Sequence, residues 1–370
     1  MLVSKALLEH PPAPAPIAQD LPDARHRFAP SSADEAAAIM RSATDERAAV
    51  LFHGHGTKQE MGGASTPDVV VSTARMDRLI SWEPDDLTLV VEPGVSVREI
   101  ESELLKKNQT AGLPEWDAAG TVGGVVATAT SGYRRSRLGP IRDRMLQIEI
   151  VTGDGRIVHG GGRVVKNVSG YDLPRLATGS MGRLGLITSI CLKLWPLPEA
   201  AASIRLDGSP GAALHALYRP LAVLQTKSDA WAMIQGTPAE VAAQVRAVAG
   251  DVVDGLHWPD PPTGDFRCSI RIRPNALASA VKRLPPDWHF TAQHGVGVLD
   301  AACDDPDLEE ITVIRKWVEA RDGRLVITRS AGLDIDPWGT PPAALDLQRR
   351  VIAGFDPYGV ANPRRLPGGI

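Results

Sequence analysis

The spacing of apolar residues changes several times along the chain, and each change marks an element. SSADEAAAIMRSA carries its apolar residues at helical spacing, with Ser32 and Glu35 in the pattern of a capping box at its start. AAVLF then reads as a short strand that delivers the chain to LFHGHGTKQEMGG, residues 51–63. LTLVVEPG is a second strand, ended by Pro93-Gly94, and Ser96 with Glu99 caps a helix over VREIESELLKK. MLQIEIVTGDGRIVHGG has two alternating runs joined at Thr152-Gly153-Asp154-Gly155, which predicts a hairpin. LGLITSICLKLWPLPE is a further strand, stopped by Pro196 and Pro198. From about 200 to 345 weakly amphipathic helices (EVAAQVRAVA, DLEEITVIRKWVEA) alternate with strands such as FRCSIRIRP and GRLVITRS, without glycine motifs. Two stretches fit neither period. AAGTVGGVVATATSGYRR, residues 118–135, is too poor in large side chains for an ordinary core helix, and FDPYGVANPRRLPGG has the turn chemistry of a tail laid across a surface.

A chain of 370 residues exceeds one ordinary core, so two lobes are expected. A formal net charge of −4 without a dense Lys/Arg cluster argues against a nucleic-acid surface. Cys191, Cys268 and Cys303 are widely separated and form no CxxC pair, so the chain offers neither a four-cysteine iron–sulfur site nor a zinc knuckle. Such a sparse, odd set suits a reducing cytosol. No apolar run approaches the ~20 residues that span a bilayer, and the N-terminus does not read as a signal peptide. Its Pro/Ala stretch, residues 11–16, reads as a flexible or polyproline-like lead-in.

The loop at 51–63 supports two chemistries. His53 and His55, two apart after a strand, are how some metal-dependent hydrolases begin their sites. Such a site needs further ligands, and the remaining histidines show no ligand-like pairing. Alternatively, Gly54, Gly56, Gly62 and Gly63, with Thr57 as a hydroxyl donor, free the backbone to point N–H groups at an anion. The loop is neither a Rossmann GxGxxG nor a Walker loop. Taken alone it is equally a tight turn. Thr121, Gly123 and Gly124 offer a second backbone surface, and the small residues Ala127, Thr128, Ala129 and Ser131 let a large ligand lie on the chain. Close helix packing through small residues is the competing account of that segment. Two such loops ~65 residues apart favour one long dinucleotide held between them.

HGHGTK, EPGVSVREI, AAGTVGGVVATATSG, RLGPIRDRML and GGRVVKNVSGYDLPRLATGSMGRLGLITSICLKLWP occur in an order and spacing that resemble the FAD-binding module of the vanillyl-alcohol-oxidase/PCMH superfamily, over roughly residues 30 to 198. KNVSGYDLPRL and the short length further resemble the smaller flavin subunits of bacterial glycolate oxidases. In the tail, Asp356, Pro357, Asn362, Pro363 and Arg365 hold the family's places. The resemblance implies an α+β fold: a PCMH-type FAD-binding domain of two α/β subdomains, plus a smaller α+β cap with an antiparallel sheet. It divides the chain into a lead-in (1–22), an FAD domain (23–198), a cap (199–345) and a tail returning to the FAD domain (346–370).

It also implies site residues. His53, Gly54, His55, Gly56 and Thr57 would bind the FAD pyrophosphate, chiefly through backbone N–H groups. Thr57 stands where some relatives attach flavin through histidine, so noncovalent FAD is expected. His53 would add partial positive charge near the phosphates. Gly120, Thr121, Gly123 and Gly124, with Ser131 nearby, would form the second contact, and Gly182, Ile187 and Asn362 complete the cofactor set. Arg142 and Asp143 read as a structural pair, whereas Lys166, Asn167, Tyr171 and Asp172 are either structural or face the flavin. Catalytic relatives carry HxGDGNxH in the cap. Here the corresponding stretch is Gln293-His294-Gly295-Val296-Gly297-Val298-Leu299-Asp300, which lacks the polar metal-holding residues, so no metal site is expected and His294 is read as structural.

The resulting expectation is an FAD-binding subunit of a glycolate oxidase-type complex, taking part in oxidation of a 2-hydroxy acid (glycolate to glyoxylate) and in electron transfer. A larger catalytic flavin subunit and an iron–sulfur subunit would be its partners, with a cytoplasmic location at the inner membrane face through them. The alternatives are a stand-alone FAD-dependent oxidase or dehydrogenase of another hydroxy acid or alcohol and, more remotely, a metal-dependent hydrolase.

Overall fold

The computed structural model describes residues 23–162 and 170–370, and these form two compact units. The first comprises the described residues through Ser131, Pro140–Pro196 and Pro341–Ile370; the second comprises Gly132–Gly139 and Leu197–Thr340. The contact-defined units thus differ from boundaries read along the sequence by moving 132–139 out of the first unit and starting the returning segment at 341.

In the first unit, strands His26–Phe28, Val69–Ser72 and Val50–His53 form a parallel sheet in that spatial order. The helix Ala33–Glu46 buries Ala36, Ile39, Met40 and Ala43 in the same core as Val50, Val69 and Val71. Its N-cap Ser32 accepts from Glu35 N, but the Glu35 carboxylate accepts from Ser31 N and Oγ rather than from Ser32, so the expected box closes one residue early. Val50 also bridges to Ala361, which lays the end of the chain beside this sheet.

A five-stranded antiparallel sheet, ordered 79–83, 88–91, 186–193, 145–151, 157–161, supports the rest of the unit. The hairpin pairs Val151 with Ile157 across the Gly-Asp-Gly turn. The helix Val97–Leu105 has a complete Ser96–Glu99 capping box and buries Val97, Ile100 and Leu104.

The glycine- and alanine-rich segment corrects one expectation. Val122–Thr128 is a helix after all, with Thr121 accepting from Gly124 N as its N-cap. Val122, Val125 and Val126 are buried with Leu89, Ile190 and Leu192. Three valines at i, i+3 and i+4 suffice for an apolar stripe, and the small residues between them leave the opposite face bare.

The second unit is built on an eight-stranded antiparallel sheet ordered 250–254, 200–206, 230–236, 222–226, 289–294, 298–303, 266–271, 324–330. One face carries Ile204, Ala232, Ile234, Val223, Ala292, Leu299, Cys268, Ile270, Leu325 and Ile327 against the helices 210–216, 238–245, 277–281 and 308–319. Alternation puts Thr291, Gln293, Asp300 and Ser269 on the other face. The three cysteines are buried and unpaired with one another. Among the described residues no helix is long and apolar enough to cross a membrane.

Candidate cofactor site

The first unit contains a cleft whose walls come from several places in the sequence, Thr73 and Pro93 among them. His53 and Gly54 come from the loop after strand 50–53, with Lys58 and Gln59 further along it. Thr121, Gly123, Gly124, Ala127 and Thr128 come from the capped helix. Met181, Gly182, Leu186 and Ile187 precede or begin strand 186–193, and Asn362 and Arg365 come from the tail.

The two glycine segments meet side by side. A Cβ on Gly54 would sit 2.5 Å from Thr121 Oγ1, so only glycine lets the first loop lie against the cap of the helix. His55 Nδ1 lies 2.9 Å from Ala119 O, and the Lys58 ammonium pairs with the Asp117 carboxylate, so both contacts tie the two loops together. The first amides of helix 122–128 are taken within the protein, Val122 N by Val95 O, Gly123 N by Pro93 O and Gly124 N by Thr121 Oγ1.

The tail closes the cleft. Asn362 Oδ1 accepts from Phe52 N at 2.7 Å, while its Nδ2 donates to Met181 O at 2.7 Å. Gly182 has a φ of +76°, and a Cβ there would collide with the Asn362 amide. Arg365 Nη1 donates to Gln59 O (2.9 Å) and Gly63 O (3.4 Å). Asp356 anchors the tail: its carboxylate accepts from Val360 N, Ala361 N and Arg183 Nη1, each at 3.0 Å.

Of the residues read as cofactor ligands, His53, Gly54, Thr121, Gly123, Gly124, Gly182, Ile187 and Asn362 line the cleft. His55, Gly56, Thr57, Gly120 and Ser131 are not on its walls. Gly56 lies under the His53 ring, Thr57 Oγ1 accepts from Lys58 Nζ, Gly120 packs on the Asp117 carboxylate, and Ser131 Oγ accepts from Ile141 N. Lys58, Gln59, Met181 and Arg365 were not singled out as ligands. The only sequence signal for them was adjacency to glycine motifs or to the tail.

His53 is buried and its Nδ1 has no hydrogen-bond partner among the described residues. Burial lowers the imidazole pKa, against the backbone at Gly54 and with some help from His55, so the ring is neutral at pH 7. It offers the cleft a hydrogen-bonding nitrogen rather than a charge. Arg365 is also buried, and desolvation pushes its pKa down to about 10, which leaves it charged.

Outside the cleft, Asp143 meets Arg175 at 3.2 Å and Arg142 at 3.7 Å in an exposed cluster. Tyr171 is 95 % exposed, and Asp172 caps helix 173–177; Lys166 and Asn167 lie outside the described residues. In the second unit, His294 Nε2 lies 2.9 Å from Gln225 Oε1, and Gly295–Gly297 is the turn between strands 289–294 and 298–303. The Asp300 carboxyl touches Ser269 and Gln293, and burial raises its pKa.

A family model described as an FAD binding domain matches residues 24–161. Among curated relatives, glycolate oxidase subunit GlcE of Escherichia coli K12 is 30% identical over 229 residues, 59% of this chain and 65% of the relative. Glycolate oxidase subunit GlcD of Bacillus subtilis 168 is 32% identical over 218 residues (57% and 43%), and D-lactate dehydrogenase of Archaeoglobus fulgidus 32% over 168 residues (45% and 38%). The chain spans about two-fifths to just under two-thirds of the length of these relatives. The solved structure of alkyldihydroxyacetonephosphate synthase superposes with a TM-score of 0.65 at 14% identity, covering 91% of this chain and 75% of that one, a likeness of fold. The matched FAD binding domain and these relatives support the vanillyl-alcohol-oxidase/PCMH superfamily of FAD-linked oxidases, with FAD as the cofactor, and within it the chain resembles the GlcE subunit of glycolate oxidase.

The cleft fits that cofactor. Walls of glycine backbone, an unpartnered buried imidazole nitrogen and a buried guanidinium suit an elongated anionic dinucleotide, and among the described residues no Asp or Glu is on the walls.

Proposed function

We propose that this chain is the FAD-binding subunit of a glycolate oxidase-type complex, taking part in the oxidation of a 2-hydroxy acid and in onward electron transfer. The observation that carries the reading is the cleft itself: two glycine segments and the chain's own tail converge on one wall set within the first unit. The named relatives are oxidases and dehydrogenases of glycolate and D-lactate, which supports the substrate class.

Flavin, when bound, supplies hydride acceptance and electron storage. This chain's residues supply position and electrostatics. The glycines at 54, 123 and 124 would let the cofactor lie close to the backbone, the neutral His53 ring would offer one hydrogen-bonding nitrogen, and Asn362 ties the tail to Phe52 and Met181 at the cleft. Thr57 offers no nucleophile comparable to histidine for a flavin linkage, so the cofactor is held noncovalently.

Substrate oxidation itself is assigned to a larger flavin subunit. The turn in the second unit carries Val296 and Val298 where the catalytic pattern needs Asp and Asn, and this removes ligands for a divalent ion and a base. Among the described residues no group of three His, Cys, Asp or Glu is arranged to hold a metal. With three separated, buried cysteines, the iron–sulfur relay is placed on another chain, and the assembly in the cytoplasm at the inner membrane face.

The test begins with the absorbance spectrum of the purified chain. Flavin bands whose chromophore is released on denaturation support the reading, and a colourless protein with stoichiometric zinc overturns it. Co-purification with a larger flavoprotein and a cysteine-rich chain supports the subunit assignment. Turnover of a hydroxy acid by the chain alone, with a dye acceptor, would instead favour a stand-alone dehydrogenase.

A further inference from the structure

Helix Leu308–Glu319 packs Ile311, Ile314 and Val318 onto the sheet of the second unit and turns its other face to solvent between two patches of opposite charge. At its start Asp304, Asp305, Glu309 and Glu310 are all exposed. The Cys303 thiol is raised first by burial and then by Asp287, Asp304, Glu310 and Asp305, so these carboxylates share one neighbourhood. At the far end of the helix a surface hollow is lined by Arg273, Lys282, Arg283, Trp317 and Arg321, with no acid on its walls. The guanidiniums of Arg283 and Arg321 lie 4.7 and 4.1 Å from the Trp317 ring centroid, which holds them in place. Arg273 pairs with the exposed Asp322 at 2.6 Å; among the described residues the other cations of the hollow have no ion-pair partner.

The macrodipole by itself favours acids at a helix start and bases at its end. It does not account for Val313 between them, 54% exposed, or for the cations brought by residues 273–283. Glu309, Val313 and Lys316 fall at i, i+4 and i+7 on one stripe, with Glu310, Trp317 and Arg321 along its flank. That stripe is complementary to itself. Laid antiparallel on its own copy about Val313, it sets Glu309 over Lys316 and Glu310 toward Trp317 and Arg321. Each contact then occurs twice, with the valines central and the helix dipoles opposed. A merely acidic partner would answer the cationic half alone and meet the carboxylates with like charge.

We propose that helix 308–319 and the hollow at its end form a two-fold interface with a second copy of this chain. The acidic helix start of each copy seats against the cationic hollow of the other. The proposal is independent of the cofactor reading, since every residue it uses belongs to the second unit.

Sedimentation equilibrium of the full chain gives the dimer dissociation constant for wild type, Glu309→Lys, Lys316→Glu, an equimolar mixture of the two variants, and the chain carrying both changes. Each single change sets like charges opposite each other in both halves of the interface and should weaken dimerisation roughly tenfold or more. The mixture should restore it, because every lysine then faces a glutamate, and so should the double variant. Salt should weaken the wild-type dimer, a readout that needs no variant to fold. A wild type that stays monomeric at about 100 μM overturns the proposal. So does a dimer indifferent to salt or to both single changes, and so do variants with wild-type circular dichroism that remain monomeric when mixed. A monomeric wild type that binds an oligoglutamate peptide, and loses it in Arg283→Glu, overturns it in favour of an acidic partner chain.

Discussion

At position 54 the absence of a side chain is what allows two distant segments to touch. An alanine Cβ would meet Thr121 Oγ1 at 2.5 Å and Cγ2 at 3.1 Å, and Thr121 is the N-cap that accepts from Gly124 N. Gly54→Ala should therefore cost about 1–3 kcal/mol from overpacking and displacement of the cap. Thr121→Gly in the same chain removes the obstacle and keeps a tolerable cap, so the double variant should recover much of the loss in urea unfolding. No recovery would mean that the clash is not the cause. One residue earlier, His53 makes a prediction about pH. Its pKa is lowered by burial, so below the ordinary value of 6.5 the unfolded chain takes up a proton that the folded chain resists. Its contribution to stability is complete above pH 6.5 and is lost as pH falls toward the lowered folded value. Acid titration of flavin-free wild type should show this decline and His53→Asn a shallower one. The remainder comes partly from His294, whose pKa burial also lowers.

At the scale of elements, local signals were legible wherever a strong local rule governed. The Ser96–Glu99 box, the Gly-Asp-Gly hairpin and the strand 186–193 all stand where their residues indicated. Strand Leu79–Glu83 has exposed or half-exposed side chains throughout and no apolar alternation to betray it. Helix 122–128 was hidden by its glycines, although Val122, Val125 and Val126 already carried its spacing. The glycine motifs pointed to the cleft, but its second half depends on contacts 181 to 310 residues apart, such as Phe52 with Asn362, which no local pattern encodes. The tail is where this matters most. Asp356 and Arg183 are both buried, with side-chain exposures of 0% and 6%, and the carboxylate also holds two tail amides. Asp356→Ala leaves the guanidinium without that partner and should destabilise by roughly 3–5 kcal/mol. Adding Arg183→Met to it should be milder than the single change, as read by chemical denaturation. A double variant as unstable as D356A would show that the amide bonds, not the ion pair, carry the cost.

For the whole molecule, the order in which the chain visits its two units sets a constraint. The chain leaves the first unit at 132–139 and again at 197–340, then returns with 341–370. The tail residues of the cleft are therefore made only after the second unit, and the cleft needs segments from both sides of that unit. Every wall residue nevertheless belongs to the first unit. FAD that binds the folded state stabilises it by about 2.7 kcal/mol at a hundredfold excess over the dissociation constant, and that gain should be local to the elements it touches if the units open separately. Hydrogen exchange read peptide by peptide can show where it falls. Adding FAD should slow exchange in 50–63, 117–129, 180–187 and 356–366 together, although these lie far apart in sequence. Strands 266–271 and 298–303 of the second unit should change much less. Protection in the glycine segments without the tail would separate Asn362 and Arg365 from the cofactor, and equal protection of both units would overturn the assignment of the site to the first.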